Sequence, residues 1–356
     1  MYLRKKTARK NINLAYYSLE DNLPEISIVI PVQNEEKVIE EKLNSILKSN
    51  YPKEKITIYI GLDNCTDATK SILQNQFNLP NIKLIEFTER QGKPGVLNQI
   101  IQQKIVDENT ILILTDANII FTETTVFELV KYFKDEKIGL VDSNIQPKKI
   151  TNENEKDYWN YETEIKENES IVHGIIPGPS GGCYAIRRAL YSTIPNNFLV
   201  DDFYIGFTII TKNFNAILNK NAICFEDVIT NWKQEFFRKI RIATGNFQNL
   251  WNFKKYAFQP FSNIGFVFIS HKVLRWKTPF MLLAIYYILL LKFTLFILIV
   301  TLFLPIIDIF LFTFKVEFKP LRRFHYFIVM NIAVMIGFFK FLKGVKTNVW
   351  QPTTRN

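Results

Sequence analysis

The sequence holds little of what stabilises small disulfide or zinc scaffolds. Among 356 residues there are three cysteines, Cys65, Cys183 and Cys224, far apart and without a CxxC pair. That excludes a disulfide framework and a structural zinc site, and it suits a reducing, cytosolic setting. Histidine is equally scarce. Of His173, His271 and His325, only His173 lies in the soluble part, where it reads as an ordinary surface or core residue. No GxGxxG follows the first apolar strand and no GxxxxGK[ST] occurs, so neither a Rossmann dinucleotide site nor a P-loop is supported. No apolar stretch follows the basic N-terminus, so no signal peptide is expected.

What is present is apolar and unevenly charged. Hydrophobic residues make up 47% of the chain and Phe alone numbers 31, which excludes disordered, collagenous and low-complexity classes. The net charge of +10 sits at the ends. Residues 1–10 carry Arg4, Lys5, Lys6, Arg9 and Lys10; residues 268–278 carry Lys272, Arg275 and Lys277; after residue 314, Glu317 is the only acid. The remainder is mildly acidic. A nucleic-acid binder keeps its basic face on the folded domain. Basic charge flanking apolar segments fits an anionic cytoplasmic leaflet instead. Between residues 279 and 314 only Lys292 and Asp308 are charged. This run is long for one span of about 20 residues and short for two, so a tilted span and a hairpin near Pro305 both stay open. A second run, 324–339, is a span or an interfacial helix. The stripe Phe247, Leu250, Trp251 and Phe253 is helix packing or interfacial anchoring.

Upstream, strands alternate with helices. Ile26–Val32 is a short, β-branched, almost wholly apolar run typical of a buried parallel strand, and 56–62, Ile82–Phe87 and Ile111–Thr115 read as the second, third and fourth strands. Helices are expected over 35–49, 66–77 and 124–133. The first carries Val38, Ile39, Leu43, Ile46 and Leu47 at helical spacing, and Thr66 or Asp67 would cap the second. Such alternation predicts a parallel sheet with right-handed crossovers, and ligands then bind beyond the carboxyl ends of its strands. The polar residues there are Asn34 and Glu35, Asp63, Gly92 and Lys93, and Asp116 and Asn118. For Asp63 alone, capping is an equal explanation. Asp116-Ala117-Asn118 offers two oxygen ligands to a hard cation, which can bridge to a diphosphate.

These residues carry a resemblance. The chain resembles family-2 glycosyltransferases of the GT-A fold, of the membrane-anchored, cellulose-synthase-like kind. The matching segments are Pro31-Val32-Gln33-Asn34-Glu35-Glu36, Tyr51-Pro52, Leu62-Asp63-Asn64-Cys65-Thr66-Asp67, Gln91-Gly92-Lys93 and Thr115-Asp116-Ala117-Asn118. Gly181-Gly182-Cys183-Tyr184, Asp201-Asp202-Phe203, Phe237-Arg238-Lys239-Ile240-Arg241 and Ser270-His271-Lys272 follow in the family's order. The resemblance implies a mixed, mainly parallel, Rossmann-like α/β sheet flanked by helices, then C-terminal amphipathic and transmembrane helices. The expected division is a basic segment 1–24, a catalytic domain 25–265, an interfacial helix 266–278, membrane helices 279–343 and a basic tail 344–356. The catalytic domain would face the cytoplasm at the inner, cytoplasmic membrane.

The resemblance also assigns roles. Glu35 and Asp63 would contact the nucleotide base and ribose, with Lys93 nearby. Asp116 matches the first acid of the DxD motif, and Asn118 stands where the second often stands; with Mg²⁺ or Mn²⁺ they would hold the diphosphate. Asp202 matches the general base, with Asp201 as its neighbour. Gly181 and Gly182 would lie by the acceptor, and Arg238 and Arg241 match the QxxRW segment near acceptor and diphosphate. The implied reaction is inverting transfer from a nucleotide-diphosphate sugar, UDP-sugar favoured, to a membrane-associated saccharide or lipid-linked acceptor in cell-surface polysaccharide or glycoconjugate synthesis. One carboxylate base and charge neutralisation on the departing diphosphate suffice for that chemistry.

The sequence departs from the family at Ile242, where QxxRW has its tryptophan, and at Arg238, where it has glutamine. With no N-terminal span and few C-terminal ones, transfer of one or a few sugars is expected rather than extrusion of a polymer. Two rivals remain. Asn118 in place of an acid fits a catalytically silent subunit of a polysaccharide synthase. Gly178-Pro179-Ser180-Gly181-Gly182 fits the GxSxG elbow of serine hydrolases.

Overall fold

The computed structural model describes residues 14–102, 106–148, 153–227, 232–294 and 319–346, with short pieces between 302 and 313. Two compact units emerge, one on the chain up to Val228 with Phe261–Val267, the other on Ile229–Pro260 and Phe268–Val345.

In the first unit the apolar runs form strands buried on both faces. Strand β1 (Ile26–Val32) alternates Ile28 and Ile30 into one core with Val29 into the other. Strand β4 (Ile111–Thr115) likewise divides Ile113 from Leu112 and Leu114. Period-2 side chains make this division, and helices on both faces make it favourable. The other strands are β2 (Ile56–Asp63), β3 (Ile82–Phe87), β5 (Ile120–Phe121), β6 (Ile138–Pro147), β7 (Cys183–Arg187) and β8 (Asn215–Glu226). They form one eight-stranded sheet in the order β3-β2-β1-β4-β7-β6-β8-β5. The pairs β3-β2, β2-β1, β1-β4 and β6-β8 are parallel, whereas β7 runs antiparallel to β4 and β6, and β5 to β8. The sheet is therefore mixed and mainly parallel.

The helices are shorter than the sequence periodicity suggests. Helix α1 covers Ile39–Leu47 because a turn with Asn34 at φ 54° precedes it. Helix α2 covers Thr69–Gln76 with Ala68 at its N-cap, so neither Thr66 nor Asp67 is the cap; Asp67 Oδ1 instead accepts from the Thr69 amide at 3.1 Å in the turn before it. Helix α3 (Gly92–Gln102) sits directly on β2: a Cβ at Gly61 would lie 2.3 Å from Val96 Cγ1. Helix α4 is Thr125–Val130, with a 3₁₀ turn over Lys131–Lys134. Helix α5 (Glu153–His173) and helix α6 (Asp201–Thr211) complete the unit.

In the second unit, helix α7 (Trp232–Asn252) lies against helix α9 (Lys319–Leu342). A Cβ at Gly337 would stand 2.6 Å from the Ala243 Cβ, so the two backbones approach closely. Phe247 packs among Phe280, Phe338 and Phe341, with ring centroids at 6.5, 5.0 and 6.3 Å; its part of the stripe is packing, while Trp251 is exposed. Helix α8 (Leu274–Lys292) continues a helical stretch from Asn263 through a π turn at Ile269–Val273. Two stretches, Asn263–Lys292 and Pro320–Leu342, are long and apolar enough to cross a membrane. The hairpin reading at Pro305 lies outside the described residues.

Candidate active site

The carboxyl ends of β1, β2 and β4 share one sheet edge, and antiparallel β7 starts there. Glu35 follows β1, half-buried, and its amide donates to Thr69 Oγ1 at 2.9 Å. Asp63 ends β2. Its Oδ1 accepts from the Gln91 amide at 2.6 Å, and its Oδ2 from the Gly92 amide at 3.0 Å, with Arg90 Nε at 3.3 Å. A buried carboxylate at a helix N-terminus is favourable on both counts, as acceptor for orphan amides and as charge against the dipole. Asp63 therefore fixes the turn that opens α3, where Gly92 stands at φ 70°, and so aims Lys93.

Lys93 joins three chain segments. Its Nζ lies 2.8 Å from Asp116 Oδ1 after β4, 3.6 Å from Asp201 Oδ2 at the start of α6, and 3.4 Å from the Gly181 carbonyl before β7. Burial opposes its charge, but Asp116, Asp201 and Asp202 outweigh that and hold its pKa well above the ordinary lysine value. Asp202 sits in the first turn of α6, and its Oδ1 accepts from the Phe203 amide at 2.8 Å. Its other oxygen lies over Gly181, where a Cβ would come within 2.4 Å of it. Gly181→Ala should therefore displace this carboxylate. If Asp202 is the base, misplacing it by about 1 Å would lower a rate about 10²-fold, so a loss of that order in turnover is the result expected on that role, with the melting temperature little changed. Unchanged turnover would show that Asp202 need not occupy this position.

Gly182 closes the edge. Its carbonyl accepts from the Asp116 amide at 2.9 Å, and a Cβ there would meet Ile119 Cδ1 at 2.7 Å. Around this edge two buried atoms make no hydrogen bond among the described residues, Asp201 Oδ2 and the Tyr184 hydroxyl on β7. Burial, then the charges of Asp201 and Asp202, push the Tyr184 pKa well up, so the phenol keeps its proton.

Asp116 and Asn118 present two hard oxygens. Asn118 Nδ2 donates to Glu226 Oε1 at 3.3 Å, which leaves its carbonyl oxygen for a cation. Among the described residues no group of three or more His, Cys, Asp or Glu is placed to hold a metal. This donor set fits a Mg²⁺- or Mn²⁺-type ion completed by water and phosphate oxygens, not an all-protein cage.

The structure places Arg238 and Arg241 on α7 in the second unit, with Arg238 3.6 Å from Glu235. It overturns the GxSxG alternative. Ser180 leads into strand β7 rather than a helix, and its hydroxyl bonds Asp142 Oδ2 at 3.1 Å and Lys166 Nζ at 2.8 Å. The elbow needs a helix directly after its serine, and here strand Cys183–Arg187 follows instead.

Sequence reasoning missed four side chains near this edge: Tyr184, Asp142 and Lys166 paired under Ser180, and Lys42. For Lys42 a signal existed, since it stands in the apolar stripe between Ile39 and Ile46.

The sequence profile described as Glycosyl transferase family 2 matches residues 27–194, which hold Asp63, Lys93, Asp116 and Gly181. Among solved structures, the fold is similar to that of a mannosyltransferase from Pyrobaculum calidifontis in complex with GDP-Man and Mn²⁺. The TM-score is 0.72 at 22% identity, covering 96% of this chain and 93% of that one. Among curated proteins, the chain is 25% identical over 240 residues to a probable glycosyltransferase, YdaM, of Bacillus subtilis, covering 63% of this chain and 56% of that protein. It is 26% identical over 144 residues to a beta-monoglucosyldiacylglycerol synthase of a Nostoc species, covering 40% of this chain and 29% of that protein. The chain thus spans little more than half, or less, of these curated relatives' length. Sheet order, strand-end acids and sequence profile agree: residues 27–194 carry a glycosyltransferase family 2 domain, on a GT-A fold.

Proposed function

We propose that the chain transfers a sugar, with inversion, from a nucleoside-diphosphate sugar to a saccharide or lipid-linked acceptor at a membrane. The observation that carries this reading is the cluster of Lys93, Asp116, Asp201 and Asp202 on the ligand-binding edge of a family-2 domain. Asp202 takes the proton from an acceptor hydroxyl as its oxygen attacks the anomeric carbon and the diphosphate departs. Lys93 neutralises charge on the leaving group. Glu35 and Asp63 mark the base and ribose end; Asp63 Oδ1, with one amide partner, keeps a further lone pair for a base N–H. Asp116 and Asn118 would hold a Mg²⁺ or Mn²⁺ ion, whose charge stabilises the leaving diphosphate.

The acceptor reading is supported by the two apolar helices and by the lipid product in the name of the Nostoc relative. The catalytic domain then faces the cytoplasm, where nucleotide sugars are supplied. A UDP-sugar remains the favoured donor, although the archaeal structure holds GDP-Man. The test is a panel of UDP- and GDP-sugars with Mn²⁺ or Mg²⁺ on detergent-purified protein. Metal-dependent release of one nucleoside diphosphate is expected and names the donor. No binding of any nucleotide would overturn the reading in favour of a silent subunit.

A further inference from the structure

Lys42 occupies a position built for a hydrocarbon. It shares the inner face of α1 with Ile39, Leu43 and Ile46, and all four are fully buried. Among the described residues no carboxylate lies within ion-pair distance of its ammonium. Burying a charge without a counter-charge is unfavourable, so a methionine here would cost less. Its partners show what the charge does. Nζ donates to Thr115 Oγ1 at 2.9 Å and to the Ile119 carbonyl at 2.5 Å, and it stands 3.7 Å from the centre of the Phe121 ring. Three N–H groups thus meet three acceptors.

Thr115 and Ile119 bracket Asp116-Ala117-Asn118. One cation, reaching 73 residues along the chain to Thr115, ties both sides of the loop that presents the two hard oxygens. Across the loop, the Asp116 amide is tied to Gly182 and the Ile119 amide to the Asp116 carbonyl. Burial lowers the Lys42 pKa to about 8, against the opposing effect of Cys183, Cys224 and Asp116, so it is charged at neutral pH.

We infer that Lys42 is a positioning residue for donor binding: it holds the 115–119 loop in the shape that presents Asp116 and Asn118 to the metal–diphosphate. This rests on the function proposed above. A merely structural lysine would affect folding and leave affinity per folded molecule unchanged. The experiment measures binding of UDP and GDP with Mn²⁺ by calorimetry on the full chain in detergent, beside melting temperatures. The proteins are wild type, Lys42→Met and Thr115→Val. Lys42→Met keeps the volume, and removing a buried charge is often neutral or stabilising. It should lose at least tenfold in affinity with an equal or higher melting temperature. Thr115→Val, which removes one of the acceptors, should lose about threefold. Affinity within twofold of wild type in folded Lys42→Met overturns the inference. If that variant does not fold, Thr115→Val decides in the same way: a threefold loss supports it, no change overturns it. Failure of the wild type to bind either nucleotide strikes the functional reading itself, and the inference with it; the wild-type arm shows this before any variant is compared.

Discussion

Asp202→Asn should bind nucleoside diphosphate within a few-fold of wild type and lose transfer by about 10²- to 10⁴-fold, the usual worth of a positioned base. The substitution is conservative in shape. An asparagine Oδ1 can still accept from the Phe203 amide, as Asp202 Oδ1 does at 2.8 Å, and the side chain still fits over Gly181. The first turn of α6 keeps Asp201 against the helix dipole. What disappears is the capacity to take a proton. Single-turnover transfer and calorimetric binding on the same preparation separate the two effects. Transfer within tenfold of wild type would remove Asp202 from the role of base and move attention to Asp201, whose carboxylate lies 3.6 Å from Lys93.

Asp116→Ala should abolish the enhancement of donor binding by Mn²⁺, a loss of about 10²-fold or more, which is the order seen when one charge-stabilising group is removed. Asp116 is the only anionic member of the pair, since residue 118 is an asparagine and contributes a neutral carbonyl. Without it the 116/118 pair keeps only a neutral carbonyl to anchor a cation that takes its other ligands from water and phosphate. Lys93 keeps Asp201 and stays charged, so weak metal-independent nucleotide binding should survive. Equilibrium binding with and without Mn²⁺ reads the difference. A wild-type response to Mn²⁺ in Asp116→Ala would place the metal elsewhere or remove it from the mechanism.

The half of the sheet that was legible in the sequence is built on β1, β2 and β4, buried on both faces, with the part-exposed edge strand β3 beside them. Ile26–Val32, Ile82–Phe87 and Ile111–Thr115 form as expected, and only β2 gains a residue, Asp63. Strands β6, β7 and β8 escaped notice because polar residues interrupt two of them. Asp142-Ser143 in β6 is buried by bonds to Ser180, Lys166 and the Cys183 carbonyl, and Asn219 in β8 by bonds from its amide to Glu128. Those partners are distant in sequence, so composition gave no warning. The bulged register between β6 and β8 blurs the period further.

The site follows the same rule. Asp116, Asp201, Asp202 and Lys93 were recognisable as residue types in order, because short motifs carry them. That Lys93 is the hub joining them, that Asp63 acts on it through the turn at Gly92, and that Lys42 lies beneath Asp116 are matters of tertiary distance.

The contact between Lys93 and Asp116 has a consequence for how the site is entered. With the lysine ammonium 2.8 Å from the carboxylate, Asp116 is an acid already paired and not one waiting for a bare ion. On the proposed chemistry, a divalent ion arriving alone must displace a lysine that Asp201 and Asp202 also attract. On that reading Asp116 would hold the ion and Lys93 would turn its charge to the diphosphate, so a nucleoside diphosphate and a divalent ion together would bind more tightly than either alone.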